Sequence, residues 1–133
     1  MAKSSQLGSV LTVAVLLLIV YLLYTYYSSP THKESSLRIS IEEAKARRFG
    51  LIIDVRTPKE RELLGFYPNS IPISLQRLHQ EVPLDISSKD TWILVYCNTG
   101  SRAAQAAEIL YEMGYHNVRY INKSYLSLMP GSK

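Results

Sequence analysis

The chemistry of this sequence is concentrated in one loop around its single cysteine. Cys97 stands between an apolar run at residues 92–96, which predicts a buried strand, and a helical pattern at residues 102–113. A side chain placed there lies between the carboxyl end of a strand and the amino end of a helix, where open α/β sheets bind their ligands. Backbone N–H groups and the helix dipole stabilise negative charge at that position, so we expect the thiol to ionise readily.

The other loop residues supply what a nucleophilic sulfur needs. Gly100 permits a turn that aims backbone N–H groups inward, and Arg102 carries a fixed positive charge whose planar fork suits an oxyanion. Three further residues of the loop carry polar side chains: Asn98, Thr99 and Ser101. A reacting thiolate also has to be accessible, which predicts that Cys97 reaches the surface. The alternative is that this lone cysteine is a small buried hydrophobic residue.

The spacing of the cysteine and the arginine favours sulfur chemistry over phosphorus chemistry. A cysteine phosphatase has to surround a tetrahedral phosphate, and the known families use a loop one residue longer than the four residues found here. The shorter loop fits one additional sulfur atom on Cys97 better than a phosphoryl group. We therefore predict a persulfide stabilised by backbone dipoles, with a phosphatase or arsenate reductase as the less favoured enzyme.

Short apolar runs predict the strands that position this loop. They occupy residues 37–39, 51–55, 71–73, 92–96 and 117–121. Pro72 places the third run at a sheet edge, because proline cannot donate to a ladder of hydrogen bonds. The runs alternate with helical segments, which predicts an α/β domain with a mostly parallel central sheet and helices on both faces.

Capping signals predict where the helices begin. Ser40 and Glu43 form a capping box for a helix over residues 41–48, and Thr57 followed by Pro58 opens another. Residues 75–81 predict a short helix, and the polar residues 83–90 predict a connection into the strand before the cysteine. The tail after residue 121 has no clear pattern.

The amino-terminal segment differs in kind from the rest of the chain. Residues 9–27 contain no charged residue, and at ~1.5 Å per residue they span about 28 Å, close to the hydrocarbon thickness of a bilayer. Tyrosines gather at the carboxyl end of this run, where amphipathic rings prefer the membrane interface. We predict a retained single-pass anchor. The alternative is a cleaved signal peptide, whose apolar region is usually shorter and ends in an A-x-A-like site.

These features divide the chain into five parts: a polar amino terminus (1–8), a transmembrane anchor (9–27), a linker (28–36), a globular domain (37–129) and a tail (130–133). A slight excess of positive charge after the apolar run favours a cytoplasmic domain. The net charge of +4 is dispersed rather than clustered, so we expect no nucleic-acid partner.

The remaining composition excludes two kinds of site. One cysteine cannot form an intrachain disulfide, and no cluster of cysteine and histidine has the spacing of a metal site. The three histidines, His32, His79 and His116, are distant from Cys97 in sequence, and we expect surface residues rather than catalytic bases.

Four motifs in sequence order carry a resemblance to a known family. They are Asp54-Val55-Arg56, Gly65, the loop with its strand at residues 95–102, and residues 108–115. Together they resemble the single-domain rhodaneses, and the stretch around the cysteine is similar to the small phage-shock-type sulfurtransferases of bacteria. The resemblance covers about residues 37–121.

This resemblance implies an activity and a role for each site residue. It implies transfer of sulfane sulfur from thiosulfate or a persulfide to cyanide or a thiol acceptor, without a cofactor; the apolar run at residues 9–27 adds the membrane as a partner. Cys97 would be the nucleophile, Arg102 the anion-binding partner that stabilises the thiolate, and residues 98–101 the substrate-binding loop. Asp54 and Arg56 would form a nearby buried ion pair, which is expected to fix a loop rather than to react.

The sequence departs from the family pattern in two places. Residues 66–70 read Phe-Tyr-Pro-Asn-Ser where the family usually has His-Ile-Pro-Gly-Ala, and Asn122-Lys123 replaces the usual Gly-Gly. Both leave the cysteine loop intact but change the walls around it. They keep open a second hypothesis, a non-catalytic membrane-tethered domain of rhodanese fold that binds a partner or senses oxidants.

Overall fold

A computed structural model describes residues 2–28 and 37–132, which fall into two compact units. The first unit consists of helix α1 (Ala2–Ser28). Within the described residues, its segment Lys3–Ser28 is the one helix long and apolar enough to cross a membrane, judged by length and composition. All but the first residue of the predicted linker lies outside the described residues.

The second unit is built on a four-stranded parallel sheet. Its strands are β1 (Leu51–Asp54), β2 (Ile71–Pro72), β3 (Ile93–Tyr96) and β4 (Val118–Tyr120), in the spatial order β2-β1-β3-β4. Asp54 lies opposite Tyr96 in the register of β1 and β3, so the carboxyl ends of the two central strands meet side by side. The predicted parallel sheet, with its proline-containing strand at one edge, is confirmed.

Helices flank the sheet on both faces. They are α2 (Ile41–Ala46), α3 (Pro58–Leu64), α4 (Leu78–Asp85) and α5 (Ser101–Glu112), with 3₁₀ turns at Leu75–Arg77 and Tyr125–Leu128. Successive side chains of a strand point to opposite faces. Ile53 and Val95 therefore enter one buried cluster, while Leu94 and Tyr96 enter another.

The helix starts follow the predicted capping signals. Thr57 and Glu60 form a complete capping box at α3, in which each side chain binds the other residue's backbone N–H. At α2 the Ser40 hydroxyl accepts from the Glu43 N–H at 3.1 Å. The Glu43 carboxylate instead binds the Arg47 guanidinium at 3.0 Å.

Three predicted elements differ from the structure. Helix α2 ends at Ala46 rather than at residue 48, because Arg47 is extended and its guanidinium lies 4.0 Å from the Trp92 ring centre. Residues 37–39 pair with β4 through a single bridge at Arg38 and form no strand. Pro83 lies inside α4, not in a connecting loop, since the buried Val82 packs the helix against the core and outweighs the low helix propensity of proline.

Candidate active site around Cys97

The cysteine loop joins the end of β3 to the start of α5, as the sequence predicts. The Gly100 backbone N–H donates to Cys97 Sγ at 3.0 Å. Gly100 has a φ of 101°, and a Cβ at this position would lie 2.5 Å from Asn122 Cα. Only glycine fits there, because a side chain would meet both the left-handed backbone and the neighbouring main chain. The loop therefore directs a backbone donor at the sulfur.

Cys97 is buried, and the predicted surface exposure is wrong. The residue is 1% exposed and belongs to the main apolar cluster of the domain. It follows directly on a strand whose four residues are all buried, and the small residues Ala103 and Ala104 bring the first turn of α5 close to the sheet. The two loop hydroxyls, Thr99 and Ser101, lie exposed at the surface.

The Arg102 guanidinium is paired with a carboxylate from another helix. Its Nη1 and Nη2 donate to Glu60 Oε2 and Oε1, both at 2.7 Å. The hydrogen bond with Glu60 raises the pKa of Arg102, and the charge of the same carboxylate raises it further. The same hydrogen bond lowers the pKa of Glu60 well below its usual range, helped by the Thr57 backbone N–H. The Arg102 guanidinium, which we expected to be available to an anion, is therefore already bound to Glu60.

Sequence reasoning placed Glu60 only in the opening turn of the helix capped by Thr57 and missed its contact with Arg102. The capping box was the available signal, because it fixes the Glu60 side chain at the amino end of α3. Its contact with a residue 42 positions away depends on the packing of α3 against the cysteine loop. No local pattern encodes such a contact.

Asn98 connects this pair to a second one. Its Nδ2 donates to Glu60 Oε1 at 3.0 Å, and its Oδ1 accepts from Arg56 Nη1 at 3.2 Å. One loop side chain therefore touches both the carboxylate that holds Arg102 and the guanidinium that follows β1.

The predicted ion pair of Asp54 and Arg56 is present and buried. Arg56 Nε and Nη2 donate to the two carboxylate oxygens of Asp54 at 2.8 and 2.7 Å. Arg56 Nη2 also donates to the Gly65 carbonyl at 2.6 Å, which ties the end of β1 to the loop after α3. Burial by itself raises the pKa of Asp54, but the hydrogen bonds from Arg56 outweigh it, so that the pKa is lowered overall.

Residues 66–70, which depart from the family pattern, are fastened to the same cluster. Asn69 has a φ of 65°, a left-handed conformation that asparagine tolerates better than most residues, and it stands where the family usually has glycine. Arg61 Nη1 donates to Ser70 Oγ at 3.0 Å and to Asp54 Oδ2 at 3.2 Å. The guanidinium of Arg61 also lies 3.8 Å from the Phe66 ring centre. Sequence reasoning gave Arg61 and Ser70 no role.

The two histidines that the structure describes are surface residues, as predicted. His79 and His116 are exposed, and His32 lies outside the described residues. Within residues 2–28 and 37–132, no group of three or more histidine, cysteine or acidic side chains is arranged to hold a metal ion.

Comparison with known proteins finds a rhodanese-like family model and sulfurtransferases among the relatives of this chain. The family model of the rhodanese-like domain matches residues 36–128. The adenylyltransferase and sulfurtransferase uba4 of Ogataea parapolymorpha is 37% identical over 84 residues, which are 63% of this chain and 21% of that protein. The thiosulfate sulfurtransferase PspE of Escherichia coli is 36% identical over 66 residues, 50% of this chain and 62% of that protein. The chain thus spans about a fifth of the first and about three fifths of the second.

A solved structure supports the same fold. The human single-domain sulfurtransferase TSTD1 superposes with a TM-score of 0.58, covering 73% of this chain and 98% of that one. At 20% sequence identity this likeness concerns the fold alone.

Proposed function

The chain belongs to the rhodanese-like family, and we propose that it is a sulfurtransferase that carries sulfane sulfur as a persulfide on Cys97. The donor is thiosulfate or a persulfide, and the acceptor is a thiol or cyanide. The observation that carries this proposal is the Gly100 N–H, which donates to the sulfur at 3.0 Å within a four-residue loop. A backbone donor held there by the fold stabilises negative charge on the sulfur or on a second sulfur attached to it.

The reaction proceeds in two displacements at sulfur. The Cys97 thiolate attacks the outer sulfur of thiosulfate, the S–S bond of the donor breaks, and sulfite leaves with its electron pair. An acceptor thiolate or cyanide then attacks the terminal sulfur of the persulfide, and the Cys97 thiolate leaves. Each step exchanges one S–S bond for another bond to sulfur, so the cycle needs no cofactor.

Arg102 is the proposed anion-binding residue, and Glu60 competes with the donor for it. Two hydrogen bonds of 2.7 Å occupy its guanidinium. An anionic donor that binds Arg102 therefore has to displace the Glu60 carboxylate. The Arg102 side chain is 33% exposed and the Glu60 side chain is 28% exposed, so water can solvate both partners once they separate.

The burial of Cys97 requires movement before sulfur transfer. Because the residue is only 1% exposed, a donor reaches the sulfur only after side chains around the loop shift. We assign this movement to the partly exposed pair of Arg102 and Glu60. The buried pair of Asp54 and Arg56, with side chains 0% and 1% exposed, stays in place and holds the strand end.

Mass spectrometry of the intact chain tests the proposal. After incubation with thiosulfate we expect a gain of one sulfur atom, removed by cyanide or a thiol and absent in Cys97→Ser. A negatively charged persulfide donor serves as the second substrate. If neither donor adds sulfur to the folded wild-type chain, the transferase proposal is wrong.

The burial of Cys97 favours one alternative function, a non-catalytic domain that docks a partner. In that case no persulfide forms with either donor, and Cys97→Ser leaves partner binding unchanged. The same mass measurement therefore separates the two functions.

Helix α1 is the proposed membrane anchor, with the catalytic domain on the cytoplasmic side. Its side chains at residues 3–28 are exposed along the whole helix, which suits a lipid environment, and tyrosines gather near its carboxyl end. The expected result is that the chain stays in membranes after alkaline carbonate extraction and that a reporter at the carboxyl terminus is cytoplasmic. A mature chain that begins after residue 27 would instead identify a cleaved signal peptide.

A further inference from the structure

A cavity of about 340 Å³ lies on the face of the sheet opposite to the cluster that contains Cys97. Ile52 and Leu94 line it from β1 and β3, and Phe49 and Tyr67 line it from the neighbouring loops. Its size falls at the lower end of the range for small-molecule sites. The cavity can therefore hold a compact ligand with an apolar body.

Two cations of helix α2 and its carboxyl end also line this cavity, Lys45 and Arg47. Lys45 Nζ donates to Ser132 Oγ at 2.8 Å and to the Ser132 carbonyl at 3.3 Å, which leaves one of the three ammonium donors for a ligand. Arg47 binds the Glu43 carboxylate through Nη2 at 3.0 Å. The charged side chains that line the cavity are thus both positive, and Glu43 compensates part of that charge.

Arg47 contributes a second feature, a buried donor without an acceptor. Its Nε–H is shielded from solvent and has no hydrogen-bond partner among the residues that the structure describes. An unsatisfied buried donor on a charged group destabilises the folded protein. An acceptor supplied by a ligand would remove this cost.

We propose that this cavity binds a small aromatic or branched aliphatic carboxylate. The apolar body rests on Ile52, Leu94 and Phe49, and the charges of Lys45 and Arg47 attract the carboxylate, which reaches the shielded Arg47 Nε–H once that side chain shifts. A monoanion fits better than a phosphate dianion, because Glu43 already neutralises part of the positive charge. No residue of the cysteine loop lines this cavity. The binding proposal can therefore be tested independently of the proposed sulfur transfer.

The chain carries its own reporter for this binding. Trp92 is the only tryptophan, and the Arg47 guanidinium lies 4.0 Å from its ring centre. A ligand that engages Arg47 changes the surroundings of that ring. The full chain in detergent is titrated with phenylacetate, and micelles alone provide the blank for partitioning.

We expect a saturable change in Trp92 fluorescence, with a dissociation constant in the millimolar range typical of so small a ligand. Phenylacetamide, the neutral amide of the same shape, and phenyl phosphate, a dianion, are expected to bind at least about tenfold more weakly. No saturable change overturns the proposal, and so does equal or tighter binding of the amide. Tighter binding of phenyl phosphate overturns the preference for a monoanion.

Two variants of neighbouring arginines test the residue assignment. Arg47→Gln removes the charge and leaves only a neutral amide donor at the ε position, and we expect binding at least about tenfold weaker, because a charged hydrogen bond is replaced by a neutral one. Arg48→Gln makes the same charge change at an exposed side chain that does not line the cavity and should bind like wild type. Because Arg47→Gln also alters the signal, saturation-transfer NMR of phenylacetate measures binding in both variants. Equal binding by the two variants contradicts the site.

Discussion

Two arginine–carboxylate pairs lie near the carboxyl ends of the central strands, and they differ in burial. In each pair one guanidinium donates twice to one carboxylate, at 2.8 and 2.7 Å between Arg56 and Asp54 and at 2.7 Å twice between Arg102 and Glu60. The first pair is 1% and 0% exposed, and the second is 33% and 28% exposed. The two pairs are made of the same chemical groups and differ in their exposure to solvent.

The difference in solvent exposure indicates which ion pair stabilises the fold and which can exchange its partner. A buried pair cannot be solvated when it breaks, so removing one partner leaves an uncompensated charge in the interior. Tyr96 Oη also donates to Asp54 Oδ2 at 3.0 Å, which adds a further bond to the same carboxylate. The exposed pair can give up its partner to water or to an anion at little cost. We therefore assign stability to the first pair and anion binding to the second.

The largest expected effect comes from breaking the buried pair. Asp54→Asn keeps the shape of the side chain but leaves the Arg56 charge uncompensated. We expect the free energy of unfolding to fall by about 3–5 kcal/mol. Urea unfolding followed by circular dichroism measures this change. The control is Asp85→Asn at an exposed position, which should stay within about 0.5 kcal/mol of wild type. A loss as small as that of the control would remove the structural role of the pair.

Breaking the exposed pair is expected to affect the rate instead. Arg102→Ala should slow sulfur transfer by on the order of 10²–10³, or about 2.7–4 kcal/mol, as for loss of one donor in a preorganised site. Its unfolding free energy should change by no more than about 1 kcal/mol. Steady-state transfer from thiosulfate to cyanide gives the rate. If the variant turns over as fast as wild type, Arg102 does not bind the reacting anion.

The sequence predicts the elements of the domain well where local signals act alone. Four of the five short apolar runs become strands, and Thr57 followed by Pro58 begins α3 as predicted. The Asp54–Arg56 pair was expected from the family resemblance, and its partners lie two residues apart at the end of β1. Such features need no knowledge of tertiary packing.

The parts that the sequence does not predict depend on contacts between distant segments. The burial of Cys97 follows from how closely α5 packs on the sheet, and the role of Glu60 follows from where α3 lies relative to Arg102. The end of α2 is set by the attraction of Arg47 to Trp92, which is far away in sequence. In each case tertiary packing overrides a correct local pattern.

A smaller effect, on the KM for thiosulfate, tests whether Glu60 competes with the donor for Arg102. Glu60→Gln preserves the capping box, in which glutamine replaces glutamate, while it removes the charge that competes for Arg102. We expect the KM for thiosulfate to fall about fivefold, which corresponds to about 1 kcal/mol, the upper value for an exposed ion pair. Glu62→Gln makes the same charge change at an exposed position on α3 and should leave KM unchanged. An unchanged or higher KM in Glu60→Gln would show that the carboxylate does not compete with the donor.

The smallest expected effect is the dependence of the two pairs on pH and salt. Both carboxylates have lowered pKa values in the folded protein, so their contribution to stability is complete above their unfolded pKa values, about 3.9 and 4.3, and is lost as the pH falls below them. At pH 7 the stability difference between wild type and Glu60→Gln should be at most about 1 kcal/mol. It should become smaller in ~1 M salt, because screening weakens an ion pair that is partly exposed to solvent.

The difference between wild type and Asp54→Asn should persist in the same salt, because solvent ions do not reach a pair that is 1% and 0% exposed. Urea unfolding of the three proteins at low and high salt, repeated at pH 7 and pH 3, measures both dependences. Equal salt sensitivity of the two variants would mean that burial does not distinguish the pairs. The assignment of one pair to stability and the other to anion binding would then be wrong, because it depends on their different exposure to solvent.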